Sequence, residues 1–128
     1  MDWTLDFHGS EVQWAKVADQ QLRLRFSAAL VRPGSGTAQL DEAYVKGVEL
    51  LFSRANWTGE LALCVGALSG STLAVNGALL RRIALVFKAT GGVRAEFAFS
   101  SGATLAVSAE SVQCTAPPDP RFVASYAC

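Results

Sequence analysis

Apolar and polar residues alternate one by one along most of this chain. Leu22, Leu24 and Phe26, for example, are separated by Arg23 and Arg25. Successive side chains of a β-strand point to opposite faces of its sheet, so such a run offers one apolar face to a core and one polar face to solvent. Further runs of this kind are Trp3–Phe7, Val48–Phe52, Leu61–Val65, Leu73–Val75, Ile83–Phe87, Val93–Phe99 and Leu105–Val107.

Glycine-containing turns separate several of these runs. Asn76-Gly77 suits a two-residue type I′ hairpin, because both central positions of that turn need positive φ. Thr90–Gly92 and Ser100–Gly102 lie between the runs that follow. We therefore predict that the strands between about residues 83 and 112 form an antiparallel meander.

The segment from Ser10 to Leu22 allows two interpretations. Ser10–Gln13 has the form of a helix capping box, with Val12, Ala15 and Leu22 as a weak apolar stripe. The competing interpretation is a strand that carries Val12 and Trp14 and turns at Asp19–Gln21 into the next strand. We favour the strand, because the neighbouring runs alternate so cleanly.

Two other segments are not predicted as regular strands. Arg32–Thr37 is expected to be a loop that leads into a strand over 44–53. The tail after Pro117 contains Asp119 and Pro120, which suit the first positions of a single helical turn, with Phe122 and Tyr126 packing on one side of it. A short edge strand is the equal alternative for this tail.

These patterns predict an all-β fold in one domain, residues 1–128. We expect an antiparallel meander of roughly eight or nine strands, with at most one short helix. A chain this short would close into a small barrel or pack as a sandwich. The barrel is favoured, because apolar runs are evenly spread and open sheet edges are costly.

Three segments resemble those of small uncharacterised bacterial all-β proteins. They are Leu22–Ala29, Tyr44–Phe52 and the ending Arg121–Cys128. The resemblance covers about a third of the chain, in generic strand patterns. It implies an all-β fold, and it implies no activity and no site residues.

Charge and hydropathy argue against two classes of partner. The chain has 11 basic and 11 acidic residues, a formal net charge of zero. Nucleic-acid binding depends on concentrated positive charge, so we expect no nucleic acid. Near-zero charge gives little protection against self-association, which makes a homodimer an option. We expect no membrane partner and a cytoplasmic location, because the chain begins with acids and has no long apolar run.

The cysteine and histidine content gives no basis for a metal site or a cofactor. The chain has three widely spaced cysteines, Cys64, Cys114 and Cys128, and a single histidine, His8. Structural zinc sites need paired Cys or His ligands at short spacing. We interpret the cysteines as thiols, and we expect neither a metal nor a cofactor.

His8 and Asp6 are the weak candidates for catalysis. They lie two residues apart on the polar side of the first strand, where a base and a carboxylate could reach each other. A serine from elsewhere would complete a nucleophilic site. The simpler interpretation is an exposed histidine beside an exposed carboxylate. A glycosidase site would need two carboxylates that face each other across a cleft. Among the other acids, Glu49 and Glu96 lie on polar strand faces, and nothing in the sequence selects such a pair.

Aromatic and basic residues provide the candidates for binding. Trp14, Trp57 and Tyr44 could line a ligand cavity or an interface. Trp57 in particular lies in Ser53–Gly59, which we expect to be a polar loop between strands. The phenylalanines and Trp3 are expected to form the core. Arg23 and Arg25 share one strand face and could bind a carboxylate or phosphate, although cross-strand pairing with Glu49 or Glu96 would explain them equally.

The sequence therefore predicts a fold and leaves the function open. We expect a non-catalytic binding or interaction module for a protein partner, a second copy of the chain or a small apolar ligand. The alternative is a cofactor-free enzyme with a cavity site near His8 and Asp6. Ligand, partner and biological process are not identified by any motif.

Overall fold

The structure, a computed structural model, describes residues 3–33, 43–80, 83–85 and 87–117. Strands make up 77% of these residues, and one 3-10 turn at Leu61–Leu63 is their only helical element. Within these ranges no helix has the length and apolar character needed to cross a bilayer. The strands are β1 (Trp3–Ala18), β2 (Gln21–Pro33), β3 (Ala43–Val45), β4 (Glu49–Ser53), β5 (Asn56–Thr58), β6 (Gly66–Val75), β7 (Ala78–Leu80), β8 (Ile83–Ala84), β9 (Phe87–Phe99) and β10 (Thr104–Thr115).

Six of the strands form a closed antiparallel barrel. They follow the order β1-β2-β4-β10-β9-β6, and β6 returns to β1 through Glu11 opposite Ala67 and Val12 opposite Gly66. The other four lie outside this ring: β3 pairs with β2, β5 with β10, β7 with β6 and β8 with β1. The predicted all-β, barrel-like fold is confirmed.

The interior of the barrel is filled by the side chains that the alternation placed inside. Leu22, Leu24 and Phe26 of β2 are fully buried. The ring of Phe97 makes edge-to-face contacts with Phe7 and Phe52, with centroids 5.9 and 6.4 Å apart. Barrels of about eight strands are just wide enough inside to hold side chains, so a six-stranded ring is filled by its own core. Phe99 is also buried, and Trp3 and Phe87 pack against the core from partly exposed positions.

Residues 10–18 belong to a strand, and the helical alternative is excluded. β1 pairs with β2 at both of its ends, but the pairing is interrupted between Asp6 opposite Leu30 and Glu11 opposite Ala28. Gly9 lies in this bulge with φ +93°. Bulges of this kind bend a long strand sharply, which lets β1 follow the curve of a small barrel.

The predicted two-residue turn at Asn76-Gly77 is present, and the turn predicted at Asp19–Gln21 is a two-residue turn as well, since β2 begins at Gln21. Asn76 and Gly77 have φ of 51° and 82° and join β6 to β7. Asp19 and Gln20 have φ of 51° and 64° between β1 and β2. Positive φ at both central positions is what a type I′ hairpin needs.

Three predictions of secondary structure between residues 44 and 65 are wrong. Leu61–Val65 is no strand: Leu61–Leu63 forms a 3-10 turn, and Leu63 and Val65 are exposed. The predicted strand over 44–53 is broken into β3 and β4 at Gly47, where φ is +81°. The stretch Ser53–Gly59 is no loop throughout, because Asn56–Thr58 pairs with β10 as β5.

The predicted order of the later strands also needs correction. Thr90–Gly92 does not end a strand but lies inside β9, where Gly92 donates its N–H to the Asn76 side chain over 2.8 Å. Ile83–Ala84 pairs with β1 through Thr4 and Leu5 and not with the strand that follows it. Residues 34–37 of the predicted loop and the tail residues Asp119, Pro120, Phe122 and Tyr126 lie outside the described part of the chain.

Candidate functional site

Three of the predicted binding residues meet on the outside of the barrel. Trp14 of β1 lies opposite Arg25 of β2, and Lys16 lies opposite Arg23. On the other side of β2, Arg23 faces Leu51 and Arg25 faces Glu49, both on β4. The outward side chains of these neighbouring strands form one continuous surface, which we call the Trp14 face: Trp14, Lys16, Arg23, Arg25, Glu49 and Leu51.

The alternation of each strand produces this surface. Ala15, Leu24 and Leu50 point into the core and are buried, so the residues on either side of them must point outward. Backbone pairing between β1, β2 and β4 then places those outward residues side by side. The register that puts Trp14 beside Arg25 follows a shift in the β1–β2 pairing between Val12 and Trp14.

Glu49 is shared by both arginines of the Trp14 face. Its Oε1 lies 3.3 Å from Nε of Arg23, and its Oε2 accepts a hydrogen bond from Nη1 of Arg25 over 2.9 Å. The predicted pairing of these arginines with a strand glutamate is confirmed, with Glu49 as the partner. One carboxylate compensates one of two guanidinium charges, so the surface keeps a positive surplus.

A groove of about 260 Å³ opens at the end of this surface nearest the β1–β2 turn. Its walls are mostly apolar, with Trp14, Val17 and Leu51 among them, and Lys16 and Arg23 stand at its edge. The Lys16 ammonium lies 4.6 Å from the centroid of the Trp14 ring, within the range of a cation–π contact. Val17 is 42% exposed although it is apolar.

A second hollow of about 420 Å³ adjoins the other end of the same surface. Arg25 and Glu49 line it together with Lys46, Gly47 and Pro117. Arg23 lines the first depression, and Arg25 and Glu49 line the second, so the two depressions lie along the same row of charged side chains. The arrangement suits an elongated ligand that carries both negative charge and an apolar group.

His8 and Asp6 occupy the β1 bulge, and their contacts are structural. The Asp6 carboxylate accepts the backbone N–H of His8 over 3.2 Å through Oδ1. Its Oδ2 lies 3.3 Å from Nε of Arg32. The His8 side chain is exposed, and it lines neither the groove of about 260 Å³ nor the hollow of about 420 Å³.

Trp57 and Tyr44 lie away from the Trp14 face. Trp57 opposes the buried Val107 and packs against the core, so its ring serves the interior more than the surface. It also borders a groove of about 220 Å³ on β5, β9 and β10, beside Arg94 and Glu96. Tyr44 pairs with Leu30 on the outer strand β3 and is half-buried.

The two described cysteines are buried thiols. Burial raises the pKa of Cys114 to about 12, and its Sγ donates to the carbonyl of Leu85 over 3.0 Å. Burial also raises the pKa of Cys64, whose Sγ donates to the carbonyl of Glu60 over 3.2 Å. Within the described ranges, no group of three or more His, Cys, Asp or Glu side chains is placed to hold a metal ion.

Two residues of the Trp14 face were not identified from the sequence. Lys16 and Leu51 look like ordinary outward positions on alternating strands, and only their neighbours in space mark them. The parity of the alternation could have placed each of them on the outer surface, but not beside Trp14 and Arg23.

Comparisons with known proteins add no relative to this description. The chain matches no protein-family model, and no curated protein or solved structure is significantly similar to it. A proposal about function must therefore rest on the geometry of the chain itself.

Proposed function

We propose that this chain is a non-catalytic interaction module that binds a partner protein through the Trp14 face. The observation that carries the proposal is the clustering of Trp14, Arg23 and Arg25 beside an apolar groove on one outer surface. Tryptophan and arginine are the side chains most enriched among residues that dominate binding energy at interfaces.

The filled barrel favours a protein partner over a small apolar ligand inside the fold. Phe26, Phe52 and Phe97 are fully buried in the interior, together with leucines and valines from every side of the ring. An internal ligand would have to displace these side chains. The outer grooves are open to solvent and suit a segment of another chain.

The alternative, a cofactor-free enzyme near His8 and Asp6, has less support. Both oxygens of the Asp6 carboxylate already have partners in the bulge, the His8 backbone N–H and the Arg32 guanidinium. A carboxylate that orients a catalytic histidine must contact its ring. Asp6 contacts His8 through the backbone N–H instead. A cytoplasmic location and a bacterial origin stay part of the proposal, as does a homodimer as one form of the interaction.

The proposal can be tested by affinity capture of partner proteins from lysates of the cells that produce the chain, with the wild type and matched variants as baits. Trp14→Ala and Arg23→Gln alter the Trp14 face, and Arg94→Gln removes an exposed cation from β9, which is not part of that face. We expect a partner that the wild type and Arg94→Gln retain and that the two face variants lose. The purified partner should then bind the wild type at least about tenfold more tightly than Trp14→Ala.

Two results would contradict this function. Equal capture of the same proteins by the wild type and both face variants would remove the Trp14 face from the interaction. Turnover of a substrate that is abolished in His8→Ala would establish the enzymatic alternative. Light scattering of the purified chain separates a homodimer, which would show twice the monomer mass, from binding to a different protein.

A further inference from the structure

We propose that the ligand of the Trp14 face is an extended acidic segment of a partner protein, with carboxylates at two alternate positions and an apolar side chain at the next alternate position. This inference rests on the proposed function and adds the chemistry of the partner. It is drawn from the charge, the shape and the spacing of the surface.

The charge of the surface favours an anionic ligand of modest size. Arg23 and Arg25 share one carboxylate, that of Glu49, and Lys16 adds a third positive charge over the Trp14 ring. Arg23 contacts Glu49 through Nε, and its side chain is 48% exposed, so about half of its surface stays accessible to a ligand. A guanidinium presents five N–H donors in a planar fork, and one carboxylate contact leaves enough of them to hold a second carboxylate.

The groove at the end of the surface needs an apolar group. Trp14, Val17 and Leu51 line it, and Lys16 and Arg23 lie at its rim. A ligand with charge alone would leave these apolar walls in contact with water. A leucine or phenylalanine two positions along from an acid lies on the same face of an extended peptide as that acid. It would fill the groove while the acids reach the cations.

The spacing of the arginines matches that of an extended chain. Arg23 and Arg25 are alternate residues of one strand, so their side chains leave the backbone about 6.8 Å apart. Alternate residues of an extended peptide repeat at the same distance. A peptide with acids at every second position can therefore place successive carboxylates over successive arginines.

The same observations argue against a nucleic acid on this surface. Phosphate backbones are held by many cations, and the Glu49 carboxylate would repel a phosphate from the middle of the surface. A short peptide needs only the few cations present, because neutral residues can separate its carboxylates, whereas every nucleotide of a nucleic acid carries a phosphate. We therefore assign the surface to an acidic peptide segment.

Binding of defined peptides to the purified chain tests the inference directly. The probes are fluorescein-labelled Leu-Ser-Glu-Ser-Glu-Ser-Leu, its neutral analogue Leu-Ser-Gln-Ser-Gln-Ser-Leu and its polar analogue Ser-Ser-Glu-Ser-Glu-Ser-Ser, measured by fluorescence anisotropy. We expect the first peptide to bind at least about tenfold more tightly than either analogue, since each analogue lacks one of the two recognised features. Its affinity should fall as salt is raised.

Variants locate the binding and control for damage to the fold. Arg23→Gln and Lys16→Gln change exposed side chains and should each weaken binding by up to about fivefold. Trp14→Ala should weaken it by about tenfold. Arg94→Gln should leave the affinity unchanged, and circular dichroism should show that all four variants keep the wild-type fold.

The outcomes separate this inference from the proposed function. Equal affinity for the acidic and neutral peptides, or tighter binding of a single-stranded oligonucleotide than of any peptide, would overturn the acidic-segment assignment. The proposed function would survive either result if capture of a natural partner still depended on Trp14. Loss of that dependence would overturn the proposed function itself.

Discussion

Ser10 is the one buried polar residue in the part of the chain that the structure describes. Its hydroxyl oxygen accepts the N–H of Leu30 over 2.8 Å and donates to the carbonyl of Asp6 over 2.7 Å. These two backbone groups belong to the strands that separate at the β1 bulge. The serine side chain therefore replaces the ladder hydrogen bonds that the bulge removes, and it keeps both buried groups satisfied.

Replacement of Ser10 by alanine should lower the free energy of unfolding by about 1–3 kcal/mol, because the buried Leu30 N–H would lose its acceptor. Urea denaturation followed by tryptophan fluorescence measures the loss. Ser27→Ala is the matched control: Ser27 donates to the Glu11 carboxylate over 2.7 Å at the surface, where water can take the place of the lost bond. That variant should change stability by less than about 0.5 kcal/mol. Equal effects of the two substitutions would contradict the bridging role of Ser10.

Residue positions within strands were predictable to the extent that they depend on local alternation. The inward set Leu22, Leu24 and Phe26 follows from it directly. The choice of Glu49 and not Glu96 as the partner of Arg23 and Arg25 does not, because it depends on β2 lying beside β4. The position of Trp14 beside Arg25 does not follow either, because it depends on a register shift in the β1–β2 pairing. A shift of one residue would move a side chain to the other face, and nothing in the local pattern encodes it.

At the scale of elements, glycine determines where the chain leaves the sheet before the 3-10 turn. Gly59 has φ +131°, and a Cβ on it would overlap the carbonyl oxygen of Thr104 on β10. Gly66 begins β6 with φ +98°, and a Cβ there would meet nothing within 4 Å. Substitution of these two glycines in parallel therefore separates the destabilisation caused by an unusual backbone conformation from the destabilisation caused by steric overlap.

Gly59→Ala should therefore destabilise the fold more than Gly66→Ala. Both substitutions place a side chain on a residue with positive φ, which lowers the free energy of unfolding by about 1–3 kcal/mol. Only Gly59→Ala also pushes two backbone segments apart. That overlap should add about 1–3 kcal/mol, since the opposing atom belongs to backbone and cannot rotate away. Chemical denaturation of the two variants in parallel gives the comparison. A loss for Gly66→Ala as large as that for Gly59→Ala would exclude the close approach to Thr104 as the cause.

Glycines also explain why some elements could not be predicted. Gly91 and Gly92 suggested a turn, but a Cβ on Gly91 would collide with the Asn76 side chain, which hydrogen-bonds to Gly92. The glycines make room inside β9 for the β6–β7 turn. Asn76-Gly77 was predictable because its turn is a two-residue local event, whereas the role of Gly91-Gly92 depends on a turn 16 residues earlier in the chain.

For the whole molecule, closure of the barrel depends on strands that are distant in sequence. β4 pairs with β10, and β1 pairs with β6. The all-β class followed from the periodicity, but the strand order did not, because every strand presents a similar apolar face. The same closure excludes water from residues on the inner side of β10, Cys114 among them.

That exclusion of water links the stability of the molecule to alkaline pH. Burial raises the pKa of the Cys114 thiol from 9.0 to about 12, because the thiolate would lack solvation in the core. The unfolded chain loses this proton near pH 9, whereas the folded chain keeps it until about pH 12. Between these two pH values the folded state therefore binds more protons than the unfolded state. The contribution of the neutral thiol to the free energy of unfolding is fully present below pH 9 and falls as the pH rises toward 12.

The contribution of Cys114 can be isolated with Cys114→Ser, which removes the titrating thiol and keeps a donor for the Leu85 carbonyl. We expect the difference in unfolding free energy between the wild type and this variant to be constant below pH 9. Above it, the difference should shrink by up to about 1.4 kcal/mol per pH unit, the value for one proton. Guanidinium titrations under reducing conditions at half-unit steps of pH measure it. A difference that stays constant to pH 11 would mean that the thiol ionises as readily in the barrel as in the unfolded chain, and that water reaches the inner side of β10.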